Sequence, residues 1–269
     1  MHSTRWRTVF ALSWVVACSG AERSAAVAPA PSEPALPAPA PAVPLAPPTR
    51  PELRADLASP PLEDQPALSV AEWHQRHAEL SSAPKRGVSQ LIVFGDSIGQ
   101  GWAESRAFQK QWRQRQPLNL SLGGDQTQQL LWRIEHGALD GLSPRLVIVC
   151  SGTENLLHGF APSETVRGVR AVLSQVRERL PKSKVLVLGL LPAGQSASDP
   201  RRAQIQVINA ELSALAEPER VAVTDVGGVF LDADGSISPN VMADFVHPTA
   251  LGYEALTLSV SLVAASLLD

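Results

Sequence analysis

The chain has little cysteine, few aromatic residues and no excess of positive charge. Its two cysteines, Cys18 and Cys150, give no disulfide framework and none of the paired spacing that a structural zinc site needs. A formal net charge of −3 and a pI near 6.1, with no basic stripe beyond the short run from Lys110 to Arg115, argue against nucleic acid as a partner. What is present is apolar mass. Of the 269 residues 44% are hydrophobic and 18% charged, which excludes a disordered protein and leaves room for one large domain with a real core.

Residues 1–18 carry Arg5, Arg7 and an apolar run from Val9 to Ala17. That run is about ten residues, half of the roughly 20 that span a bilayer, so it reads as an export signal. Val15-Val16-Ala17-Cys18 resembles the bacterial lipobox. The resemblance implies that Cys18 is acylated and becomes the new N-terminus of a cell-envelope lipoprotein held to a membrane. Ordinary cleavage near Ala17 or Gly20, leaving a secreted soluble protein, is the alternative. From 19 to 66 the composition collapses to Ala, Pro and Ser, with more than half of the 23 prolines. Each proline fixes φ and removes a donor, so this stretch reads as a disordered linker. At about 3.1 Å per residue it would hold a domain on the order of 100 Å from its anchor. The folded domain is expected over 67–269.

Within that domain strands and helices alternate. Ser69 and Glu72 form a capping box that opens a helix to Leu80. Its His74 and His77, at i,i+3 with no third ligand nearby, read as surface residues, and no metal is expected. Apolar runs predict strands over 91–95, 118–122, 145–150, 184–190 and 221–225. Helical periods predict helices over 103–116, 126–136, 163–180, 201–216 and 250–268. Phe108 and Trp112, at i,i+4, face inward, and Cys150 reads as a small buried hydrophobe. The alternation makes a parallel sheet covered on both faces, a three-layer α/β/α sandwich that need not be divided. Asp232-Ala233-Asp234-Gly235 lacks the later ligands of a calcium loop and reads as a turn.

Four turns carry candidate chemistry. The run Leu91-Ile92-Val93-Phe94 enters Gly95-Asp96-Ser97, a strand-to-helix turn able to present a hydroxyl at the C-terminal edge of the sheet. Gly123-Gly124 ends the second strand and lets the backbone approach a ligand closely. Gly152 to Asn155 follows the third strand, with His158 close by. Asp244, three residues before His247 in a turn leading into a helix, can place its carboxylate on imidazole Nδ1 while Nε2 faces outward. Taken singly, each is also an unremarkable loop.

In this order the four resemble the SGNH (GDSL-type) hydrolases, whose fold is a parallel, flavodoxin-like α/β/α sandwich. Within them the chain looks most like the platelet-activating-factor acetylhydrolase type Ib catalytic subunits and their bacterial relatives. Asn119 to Asp125, Leu131-Trp132-Arg133, Val187 to Pro192 and Asp234 to Ser238 carry that likeness. The resemblance implies that Ser97 is the nucleophile, that His247 is general base and then acid, and that Asp244 orients it. The Ser97 and Gly124 N–H groups would form the oxyanion hole. The implied reaction is hydrolysis of a small acyl ester through an acyl-enzyme, with no cofactor, on a small-molecule, glycan or lipid ester. One position departs from the pattern. Glu154 stands where the family has an asparagine amide as third oxyanion donor, and Asn155 follows one place later. An ionised carboxylate has no proton to give. Asn155 takes over through a shifted turn, Glu154 is protonated and donates its O–H, or the chain is a catalytically impaired module that binds acylated envelope material.

Overall fold

The computed structural model describes residues 54–65, 68–83 and 86–268. The signal-like segment, Cys18 and the linker up to residue 53 lie outside the described residues.

The chain runs α1 (Val70–Ser81), β1 (Leu91–Gly95), α2 (Ser97–Glu104), α3 (Arg106–Trp112), β2 (Leu118–Asn119), α4 (Thr127–Glu135), β3 (Leu146–Cys150), α5 (Thr153–Leu157), α6 (Pro162–Arg179), β4 (Lys184–Leu188), α7 (Pro200–Ser213), β5 (Val221–Thr224) and α8 (Ala250–Leu268). The five strands are all parallel in the order β2-β1-β3-β4-β5. The expected three-layer sandwich is therefore present. Strand alternation divides the core into two layers. Ile92, Phe94, Val147, Val149, Val185 and Val187 face α4, α6 and α7, while Leu91, Val93, Leu146, Ile148, Leu186 and Leu188 face α2, α3 and α8.

Three differences from the sequence reading have physical causes. The helix expected over 103–116 is broken near its start: Ala103 and Glu104 end α2, which begins at Ser97, and Ser105 leaves helical geometry while its hydroxyl accepts the Phe108 N–H to cap α3. The 118–122 stretch is regular only over Leu118–Asn119, yet its ladder continues through Leu120 N–H to Val93 O at 2.8 Å and Leu122 N–H to Gly95 O at 3.0 Å. The domain also begins before residue 67. Residues 54–65, read as linker, are docked on α4: Ala55 is buried and its carbonyl accepts the Thr127 hydroxyl at 2.7 Å, and Ser59 N–H donates to Gln128 O at 3.1 Å. Gly168 on α6 leaves room for that carbonyl, which a side chain there would strike.

The sheet order reverses between β1 and β3, whose flanking strands lie on opposite sides. In open α/β sheets the crevice beyond the carboxyl ends at such a reversal is where ligands bind. The register pairs Gly95 with Cys150, so the turns after both strands open at the same level. A Cβ at Gly95 would collide with the Cys150 carbonyl, which is why a glycine ends β1.

Candidate active site

Ser97 is the first residue of α2, where helix geometry leaves backbone N–H groups without an intrahelical acceptor. Asp96 caps that helix by accepting the Ile98 N–H at 3.1 Å. Burial, reinforced by the Glu154 charge, pushes the Asp96 carboxyl well above the usual range. Its role is to hold the turn.

Ser97 Oγ lies 2.8 Å from His247 Nε2, and His247 Nδ1 lies 2.7 Å from Asp244 Oδ2. The other Asp244 oxygen accepts the N–H groups of Val246 at 3.0 Å and His247 at 2.7 Å, which fixes the loop around the imidazole. Phe245 takes φ +61° to close this turn. Burial raises and the surrounding donors lower the Asp244 carboxyl, with the net direction downward, so it remains a charged partner for Nδ1–H. Two groups 150 positions apart are thus joined in a hydroxyl–imidazole–carboxylate relay. Such a relay can take a proton from the hydroxyl as it attacks.

The Gly123-Gly124 turn lies beside the serine. Gly123 N–H donates to Gln100 Oε1 at 2.7 Å, and a Cβ on Gly123 would stand 3.8 Å from that of Ser97. Gly124 has φ +83°, and Gln65, from the docked N-terminal segment, lies so close that a side chain at 124 would strike its amide. Directly behind, Asp125 and Arg133 form a fully buried ion pair at 2.6 Å. Trp73 Nε1 donates to Asp125 Oδ1 at 2.7 Å, and an Arg133 amine donates to Leu120 O at 2.6 Å. Burial pushes Asp125 up to about 6 against the pull of Arg133 and Trp73. Sequence reasoning quoted Asp125 and Arg133 only as motif residues, and it missed Trp73 and Gln65 as neighbours of the turn.

Glu154 and Asn155 lie on α5, whose N-cap Gly152 has φ +116°. Glu154 Oε1 is 3.2 Å from Ser97 Oγ. His158 contacts the same residue, with Nδ1 2.7 Å from its carbonyl and 3.7 Å from Oε2. Asn155 does not take its place. It is fully buried, accepts the Thr127 N–H at 2.9 Å through Oδ1 and donates to Gln128 Oε1 at 3.0 Å through Nδ2. Of the expectations for this turn, the shifted asparagine is corrected, because consecutive helical residues point about 100° apart and only one can face the serine. The serine hydroxyl has one proton and two acceptors in reach, the imidazole and the carboxyl.

Among the described residues no group of three or more His, Cys, Asp or Glu could hold a metal. His74 is exposed, whereas His77 is buried rather than at the surface, stacked near Trp73 with Nε2 3.1 Å from His136 O. Phe108, Trp112 and Cys150 are buried as expected, and Asp232 to Gly235 form a turn closed by Gly235 N–H to Asp232 O at 2.8 Å.

The GDSL-like Lipase/Acylhydrolase family matches residues 93–255. The chain is 34% identical over 196 residues to platelet-activating factor acetylhydrolase IB subunit alpha1 of Homo sapiens, covering 73% of this chain and 84% of that one. It is 30% identical to subunit alpha2 of Rattus norvegicus, covering 67% and 78%. A GDSL-like lipase from Bacteroides thetaiotaomicron superposes with a TM-score of 0.56 at 21% identity, over 73% of this chain and 96% of that chain.

Proposed function

The chain belongs to the GDSL-like lipase/acylhydrolase family, and from that premise we propose that it is a serine esterase removing small, acetyl-like acyl groups through an acyl-enzyme. The observation that carries the reading is the chain of contacts from Ser97 Oγ to His247 Nε2 at 2.8 Å and from His247 Nδ1 to Asp244 at 2.7 Å. Ser97 Oγ attacks the ester carbonyl carbon while His247 Nε2 takes the hydroxyl proton. The Ser97 and Gly124 N–H groups receive the oxyanion, the alkoxide leaves with the proton from His247, and water repeats the cycle to release the acid. Small acyl groups are favoured by the names of the human and rat relatives, which are acetylhydrolases. Export and a lipid anchor on Cys18 place the reaction at the cell envelope in this reading, on a small-molecule, glycan or lipid ester.

A second reading is supported by Glu154. A carboxylate 3.2 Å from the nucleophile offers no donor to the oxyanion and competes with His247 for the serine proton. On this reading the cleft binds an acylated ligand without turning it over.

Hydrolysis of p-nitrophenyl acetate by the chain from Arg54 onward, which keeps the docked segment, separates the two. An esterase loses its rate in Ser97→Ala. In Glu154→Asn its kcat rises by up to about 10²-fold as a donor replaces an acceptor. A binding module shows no Ser97-dependent rate until Glu154 is replaced.

A further inference from the structure

One face of the molecule remains unused by this chemistry. Helix α8 has a single charged residue, Glu254, along its 19 positions. It docks through Leu256, Val260, Ala264 and Leu268, yet on its outer side Leu251, Leu258 and Leu262 are 54%, 68% and 83% exposed. These positions fall at i, i+7 and i+11, so they form one row about 16 Å long. Helix α3 packs beside α8 and continues into a short 3-10 turn over Arg113–Arg115. Arg106, Lys110 and Arg113, at i, i+4 and i+7, are exposed on one side of it, and none has an ion-pair partner among the described residues. The two rows meet. Arg106, Lys110 and Leu251 line one cavity of about 720 Å³ together with Tyr253, Glu104 and Glu254.

We propose that this face, the leucine row of α8 flanked by the cation row of α3, rests on an anionic lipid surface. Leucines enter the acyl boundary while the longer cations stay at headgroup depth, an arrangement that an interfacial helix uses and a nucleic-acid surface does not. Unpaired cations select negatively charged lipid over neutral lipid. Three leucines fall short of the roughly 800 Å² per partner that a stable dimer buries, which argues for lipid over a second copy. Helix α8 starts just after Pro248, so this contact would set the rim of the site holding His247 close to the lipid. The surface is independent of the reaction proposed above, since no residue in it belongs to the relay.

The test uses the full chain carrying Cys18→Ser, so that no acyl group contributes, with phosphatidylglycerol/phosphatidylcholine vesicles and phosphatidylcholine vesicles alone. The proposal expects partition onto the anionic vesicles to fall by about 10²-fold in Arg106→Gln/Lys110→Gln/Arg113→Gln. It expects a loss of at least about 10-fold in Leu258→Gln/Leu262→Gln. Both variants should keep the parent melting curve and p-nitrophenyl acetate rate, because all five side chains are exposed. A bimane label on Leu262→Cys should shift to the blue on anionic vesicles, while one on Val207→Cys, on the opposite layer, should not. The proposal is overturned if the Leu262→Cys label does not respond, or if the two sets of substitutions leave partition unchanged. It is equally overturned if the unsubstituted protein sediments as a dimer that the leucine changes dissociate.

Discussion

His247 and Asp244 sit on a rim loop that leaves both side chains substantially exposed and ties them to each other across three residues. Asp125 and Arg133, behind Gly124, have no exposed surface, and their network reaches Trp73, 52 positions away. The first pair is positioned by its own turn and the second by the core. On the proposed chemistry, proton transfer on the rim would depend on local geometry, whereas the Gly124 turn is backed by a buried charge pair tied into the core. One site is thus positioned in two different ways, by a local turn and by the buried core.

The largest expected effect breaks the rim half alone. His247→Ala should lower kcat by about 10³-fold or more. Because the ring is half exposed, the urea midpoint should hardly move. A large loss of stability would show that the rim is not independent of the core. Next comes the buried half. Arg133→Leu strands a buried carboxyl and should cost about 3–5 kcal/mol in urea denaturation. It should also lower kcat through the loosened Gly124 turn, with less change in KM.

The contrast also explains what could be read from the sequence. The strands were legible because parallel buried strands are continuous apolar runs. Ser97, Asp244 and His247 stood out through the order of their turns and the family resemblance rather than through any one turn, and the structure brings the three side chains into contact. Asp125, Arg133 and Trp73 were not legible, since a buried ion pair leaves no periodic trace and the Trp73 that joins it lies 52 positions away. The docking of Ala55 and Ser59 was hidden for a related reason. Their contacts are backbone groups, a carbonyl and an N–H, which carry no side-chain signature, in a stretch whose prolines argue for linker. The fate of Asn155 needed the phase of α5, which begins at a left-handed glycine that the sequence cannot orient.

Between the halves stands Gly124. Gly124→Ala must adopt φ near +83° and press on the Gln65 amide, so, on the proposed role of the Gly124 N–H as an oxyanion donor, kcat should fall by about 10²-fold. Pairing it with Gln65→Ala should recover part of the loss by removing the collision but not the backbone strain, and a full recovery would contradict the positive-φ argument.

The smallest effect concerns pH. His77, beside Arg133, is held down to about 4 from 6.5, first by burial and then by the Arg133 charge. The unfolded chain binds its proton first as pH falls, so stability should be full above about 6.5 and decline toward about 4. His77→Gln should flatten that slope in pH-dependent thermal melts. A slope unchanged by the substitution would assign it to other groups.

The central claim is that Ser97 forms an acyl-enzyme. The direct measurement is intact and peptide mass spectrometry of the chain quenched in acid during p-nitrophenyl acetate turnover, with Ser97→Ala in parallel. The account predicts one acetyl group on the peptide containing Ser97, absent from Ser97→Ala and accumulating in His247→Ala only on long exposure. Turnover with no label on that peptide, or the same label in Ser97→Ala, would contradict it.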